Sequence, residues 1–148
     1  MPYDDRELLA RLIQCEAENQ GEAGMKAVAT VVMNRTRITY GEFARVSNGG
    51  SVRNIIFQDR QFVCAQTEIN GVINEQNIYN MTPTEEIYAI ADWALEGNKL
   101  QGVDEALFFY NPYSEICPQY FPPVRIGVIY NRIGDHCFYL PTANYNKT

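Results

Sequence analysis

The sequence predicts an α+β fold, helical through its first two-thirds and closed by a small antiparallel β-sheet near the C-terminus. Three observations carry that expectation. Apolar residues recur at helical spacing in three stretches, Leu8 to Ile13, Met25 to Met33 and Ile87 to Leu95. From Ala106 onward this period gives way to clusters of aromatic and β-branched residues separated by Pro and Gly. No repeat, low-complexity stretch or linker interrupts the 148 residues, so one domain over 1–148 is expected.

Asp4 to Glu7 has the form of a helix N-terminus, and Leu8, Leu9, Leu12 and Ile13 mark one apolar face of a helix expected to reach about Ala17. Gly21 opens a turn. Met25, Val28, Ala29, Val32 and Met33 then repeat the spacing in a stretch too apolar for the surface, which makes the second helix central. The segment from Gly41 to Asn80, rich in Asn, Gln, Ser and Gly, reads as ordered loop with a short third helix at Val52 to Phe57. A loop of that length inside a compact domain suggests the wall of a binding groove. Thr82-Pro83-Thr84-Glu85 combines a capping box with Pro83 at the first helical position, starting a helix that runs until Gly97. The strands are expected at Leu107 to Tyr110, Val124 to Tyr130 and His136 to Leu140.

Composition narrows the function classes. At 46% hydrophobic and 20% charged residues the chain can bury a core. Its formal charge of -6, with Lys and Arg scattered, argues against nucleic acid, which demands clustered cations. A glycan is compatible, because sugar binding uses aromatic faces and hydrogen bonds. The segment Met1 to Glu7 is acidic where a secretory signal would be basic and then apolar, and no membrane span is expected. Cys15, Cys64, Cys117 and Cys137 lack CxxC spacing, so neither a zinc site nor any other metal or cofactor is predicted. Buried thiols are the preferred reading over disulfides. Cys117 and Cys137 flank a predicted strand and are expected to lie close without a mandatory bond, while Cys15 and Cys64 are expected to stay free.

Glu16 is the candidate acid. It follows Leu12 by four residues and Leu8 by eight, so a helix turns its carboxylate toward the apolar face. Desolvation there raises a carboxyl pKa and lets it hold a proton for a leaving oxygen. The competing reading leaves Glu16 solvated beside Glu18 at a frayed helix end.

The opening Leu8-Leu9-Ala10-Arg11-Leu12 leading to Glu16-Ala17-Glu18, then Gly24-Met25 and Val31 to Arg35, resembles that of the spore cortex-lytic cell wall hydrolases of SleB/CwlJ type. Further matches follow in order at Ile56-Phe57-Gln58 with Phe62, Ala91 and Ala94, Phe108-Phe109-Tyr110-Asn111-Pro112, and Ile133 to Phe138. The ending His136 to Ala143, with Cys117-Pro118, is most similar to the CwlJ branch.

That resemblance implies a lysozyme- and lytic-transglycosylase-like fold, peptidoglycan glycan strands as substrate, and cleavage of spore cortex during germination with Glu16 as acid. It also implies synthesis in the mother-cell cytosol, deposition at the spore coat or cortex surface, and room for a spore-coat protein partner. Two positions depart from the family: Gln20, where a second Glu is common, and Asp59, where Pro often follows Phe-Gln. Without a second carboxylate a lytic transglycosylase route is favoured, since hydrolysis calls for two. The same departure motivates an alternative, a non-catalytic spore-coat or glycan-binding protein that kept the fold.

Gln20, Phe62, Tyr110 and Asn111 are the candidate substrate-binding residues. Core packing competes for Phe62 and Tyr110, and a turn role for Asn111 before Pro112. His136, the only histidine, pairs with a cysteine in a rival peptidase reading; a hydrogen-bonded structural role is preferred.

Overall fold

The computed structural model describes residues 3–148, so the first two residues of the acidic N-terminal segment lie outside the description. Helix α1 spans Asp5–Ala17, and the Asp4 side chain caps it by accepting from the Glu7 N–H at 2.8 Å. Leu8, Leu9, Leu12 and Ile13 are fully buried, as their spacing predicts. A 3₁₀ turn at Glu18–Gln20 leads into α2, Gly21–Arg37, which packs against α1 and against most of the other helices. Its buried polar residues tie it to the segment that leads into the C-terminal sheet. Asn34 Nδ2 donates to the carbonyls of Asp104 and Ala106, and Arg35 Nε to that of Leu107 at 2.7 Å.

The segment from Gly41 to Asn80 is more structured than expected. It holds α3 (Gly41–Ser47), α4 (Val52–Ile56), two 3₁₀ turns, and a hairpin of β1 (Glu68–Ile69) with β2 (Val72–Ile73). Helix α3 escapes sequence reading because only Phe43 and Ser47 are buried on it. Distant groups hold its start: Phe43 N–H donates to Tyr145 Oη and Glu42 N–H to Thr148 Oγ1. Helix α5, Glu85–Leu95, begins two residues later than the capping box suggests. Thr84 is the cap, accepting from the Ile87 N–H, and Pro83 precedes it.

The sheet runs in the order β3 (Phe108–Tyr110), β6 (His136–Pro141), β5 (Gly127–Ile133), β4 (Tyr120–Phe121), all antiparallel. Strand β5 starts three residues later than Val124, and the two-residue β4 was not anticipated. Phe108, Tyr139 and Tyr145 join the helical core, with Phe108 and Phe43 at 5.7 Å between ring centres. Helices and sheet therefore share one apolar interior.

All four cysteines are bonded, against the expectation of thiols. Cys117 and Cys137 form a disulfide, Cα atoms 5.9 Å apart, where mere proximity was expected. Cys15 and Cys64, expected to be free, form another at 6.1 Å. The 49 residues between them hide the pairing from sequence spacing, because it arises only when the turn at Val63–Ala65 folds back over the end of α1. No helix among the described residues is long and apolar enough to cross a membrane.

Candidate active site

Glu16 occupies the last turn of α1, between the bonded Cys15 and the buried Ala17. Its carboxyl borders a cleft of about 460 Å³ whose walls come from the Glu18–Gln20 turn, the segment at Gln61 to Val63, the end of β3 and His136. The residue is half-buried, touching solvent through the cleft while protein surrounds the rest. Burial pushes its carboxyl up to about 7, and the charge of Arg35 pulls weakly the other way. Near neutral pH the group can therefore both hold and release a proton, as a general acid–base requires. Glu16 is also the one carboxylate among the residues that line the cleft.

Arg35 lies beneath this site, fully inside the protein. Phe43 and Phe62 stack on its guanidinium at 4.4 and 5.3 Å, and Gln61 Oε1 accepts from it at 3.3 Å. Burial lowers its pKa to about 10, so it stays charged at neutral pH. In the sequence Arg35 stands only at the end of the Val31 to Arg35 motif, with no role of its own. A cation on the buried face of a helix this apolar was the available signal.

The structure brings Gln20, Phe62, Tyr110 and Asn111 to the same cleft as Glu16. Their exposures differ. Phe62 is 3% exposed and packs against Phe109 at 6.3 Å, so it serves chiefly as wall. Tyr110 is half-buried, its ring edge-on to Phe121 at 5.5 Å. Asn111 Oδ1 accepts from the Tyr113 N–H at 2.7 Å, which commits the oxygen to a turn.

Gln20 clasps the hairpin turn between β5 and β6. Its Nε2 donates to Asp135 Oδ2 at 3.0 Å, and its Oε1 accepts from the Asp135 N–H at 2.9 Å. Gly134 permits the approach, since a Cβ there would stand 2.3 Å from that oxygen. Glu at position 20 would set its carboxylate against Asp135. Gln20→Ala is expected to cost about 1–2 kcal/mol for the two lost bonds, read as a lower urea midpoint at unchanged slope, together with a partial loss of activity. An unchanged midpoint would show the clasp to be without consequence.

His136 departs from expectation. It lines the cleft at 8% exposure, edge-on to Phe109 at 5.2 Å, and its Nδ1 has no hydrogen-bond partner, so it is not the satisfied structural histidine foreseen. Burial lowers its pKa, with Asp135 opposing, and the imidazole is neutral at neutral pH. The cysteine–histidine reading is overturned, because every cysteine is bonded to another. Among the described residues no cluster of three or more His, Cys, Asp or Glu could hold a metal ion.

The family described as Cell Wall Hydrolase matches residues 19–139, beginning just after Glu16. Cell wall hydrolase CwlJ of Bacillus subtilis is 27% identical over 139 residues, 94% of this chain and 87% of that protein. CwlJ of Oceanobacillus iheyensis is 28% identical over 138 residues, covering 93% and 86%. Among solved structures, the catalytic domain of the germination-specific lytic transglycosylase SleB from Bacillus anthracis superposes with a TM-score of 0.65 at 24% identity, covering 93% of this chain and 97% of that one. The SleB catalytic domain of Bacillus cereus gives the same score over 91% and 88%. These superpositions establish the shared fold, and the family match over most of the chain establishes descent: the protein belongs to the cell wall hydrolase family.

Proposed function

We propose that this protein, as a single catalytic domain over residues 1–148, cuts the glycan strand of peptidoglycan after N-acetylmuramic acid or its lactam form, with Glu16 as acid and then base. The observation that carries this reading is a lone carboxyl in the cleft, raised by burial to about 7. Glu16 gives its proton to the glycosidic oxygen as the bond to the anomeric carbon breaks. The muramyl 6-hydroxyl then attacks that carbon, and the Glu16 carboxylate takes the hydroxyl proton, leaving a 1,6-anhydro end. No water-activating carboxylate is required, whereas two-carboxylate hydrolysis places a second one across the bond. Arg35 steadies the transient Glu16 carboxylate through its charge. Tyr110 offers a ring to a sugar face, and the Asn111 amide nitrogen, free of the turn, suits an N-acetyl carbonyl.

The curated relatives are named CwlJ, and one SleB is titled germination-specific. With the sequence resemblance, this supports spore cortex as substrate and the spore coat or cortex surface as location, with room for a coat protein partner. Incubation with cortex fragments followed by mass spectrometry tests the reading. Anhydro-muramyl ends are expected; reducing ends would indicate hydrolysis, and binding without any new fragment would favour a non-catalytic glycan-binding protein.

Stability should carry the same signature. The folded pKa of Glu16, about 7, lies above its ordinary value of 4.5, so between these pH values the folded state keeps a proton that the unfolded state has released. Stability therefore falls as pH rises through that window and levels off above it. Glu16→Gln removes this slope and is expected to be more stable than wild type by on the order of 2 kcal/mol at pH 8, with no such gain at pH 4. Urea denaturation at the two pH values checks it, and an equal difference at both would contradict a desolvated Glu16.

A further inference from the structure

The cleft continues beyond its outer wall. Asn111 and Tyr113 line it and also line a second depression of about 430 Å³, bounded further by Ser114, Glu115, Arg132 and Asp135. Tyr113 stands between the two, 91% exposed and at φ 50°, a left-handed conformation that costs a non-glycine residue roughly 1 kcal/mol or more. The hydrogen bond from its N–H to Asn111 Oδ1 holds it there. A ring kept from burial in an unfavourable backbone state by a dedicated side chain is presented to something, and sugar rings offer flat apolar faces that suit it.

Beyond Tyr113 the lining carries both signs of charge. Arg132 Nε donates to the Gly134 carbonyl, and among the described residues no carboxylate pairs with its guanidinium. Glu115 is exposed and likewise unpaired. Asp135 gives one oxygen to Gln20 and keeps the other. One cation and two carboxylates that leave each other unsatisfied complement a ligand bearing both charges close together.

We infer that this depression is a subsite for the free end of a peptidoglycan stem peptide, where an ammonium and a carboxylate lie on one diamino-acid residue. Arg132 takes the carboxylate, and Glu115 with Asp135 the ammonium. The inference rests on the glycan-cleavage reading: a strand in the cleft carries its stem on the muramyl lactyl group, and Tyr113 marks the way from sugar to stem.

Calorimetry on the Glu16→Gln protein, whose turnover is expected to be too slow to consume substrate during a titration, tests this with tetrasaccharides whose stems end in a diamino acid. One form keeps both charges, and the other has the ammonium acetylated and the carboxylate amidated. The charged form is expected to bind about tenfold more tightly. Adding Arg132→Gln should abolish that preference, while Tyr113→Ala should weaken both forms alike. Equal affinity for the two forms, no binding of either, or a preference that survives Arg132→Gln overturns the subsite. Wild-type turnover of the same compounds is followed in parallel, so preferential binding without any cleavage overturns the cleavage reading and leaves the subsite standing.

Discussion

Glu16→Gln is expected to lower kcat on peptidoglycan strands by roughly 10³- to 10⁴-fold while the protein stays folded. Gln keeps the volume and a polar head but has no proton to give to a glycosidic oxygen. The loss should appear in kcat, because the cleft walls that hold the strand are untouched. For wild type, the acid form of Glu16 is depleted as pH rises through about 7, so the rate of the proton-donating step should fall about tenfold per pH unit above that value. Release of new strand ends, followed over time at several pH values, measures both effects. Activity of the variant within a few-fold of wild type would remove Glu16 from the mechanism.

Loss of the Cys15–Cys64 bond should be the costliest change to stability. It closes a loop of 49 residues, and the chain-entropy model gives such a bond about 4 kcal/mol, a large share of the 5–15 kcal/mol typical of a domain. The bond also joins the residue before Glu16 to the segment bearing Phe62 and Val63, so it fixes the acid against one wall of the cleft. The Cys15→Ser, Cys64→Ser double variant should therefore lose activity even where it remains folded, in cold buffer well below its melting temperature. The Cys117→Ser, Cys137→Ser pair provides the comparison. Its 20-residue loop is worth about 3 kcal/mol in the same model, and it braces β6 against the segment after Asn111. Thiol titration of the denatured protein should find no free thiol before reduction and four after it. Free thiols at Cys15 and Cys64 in the active protein would defeat the expectation.

Much of the site was legible because helical periodicity constrains direction. Once Leu8, Leu12 and Glu16 fall on one face, a carboxylate at the end of an apolar stripe follows from geometry. Gln20, Phe62, Tyr110 and Asn111 were picked out through family resemblance, and all border the cleft, though Gln20 spends its amide on Asp135. Arg35 and Tyr113 are not legible in the sequence, for opposite reasons. A single Arg on a helix usually reaches solvent, and nothing local says that three aromatic rings enclose this one. Tyr113 reads as another core aromatic until its exposure is known.

By itself the sequence determined the long helices, the change to strands after Ala106 and the inward face of Glu16, all of which depend on spacing within a few turns. Only the tertiary structure decided the two disulfides, the start of α3 held by Tyr145 and Thr148, the unsatisfied His136, and the second depression behind Tyr113. Each of these joins residues 20 to more than 100 positions apart, or depends on what such a juxtaposition buries. Local periodicity carries no record of those meetings, because chain entropy opposes each of them until the whole core has formed.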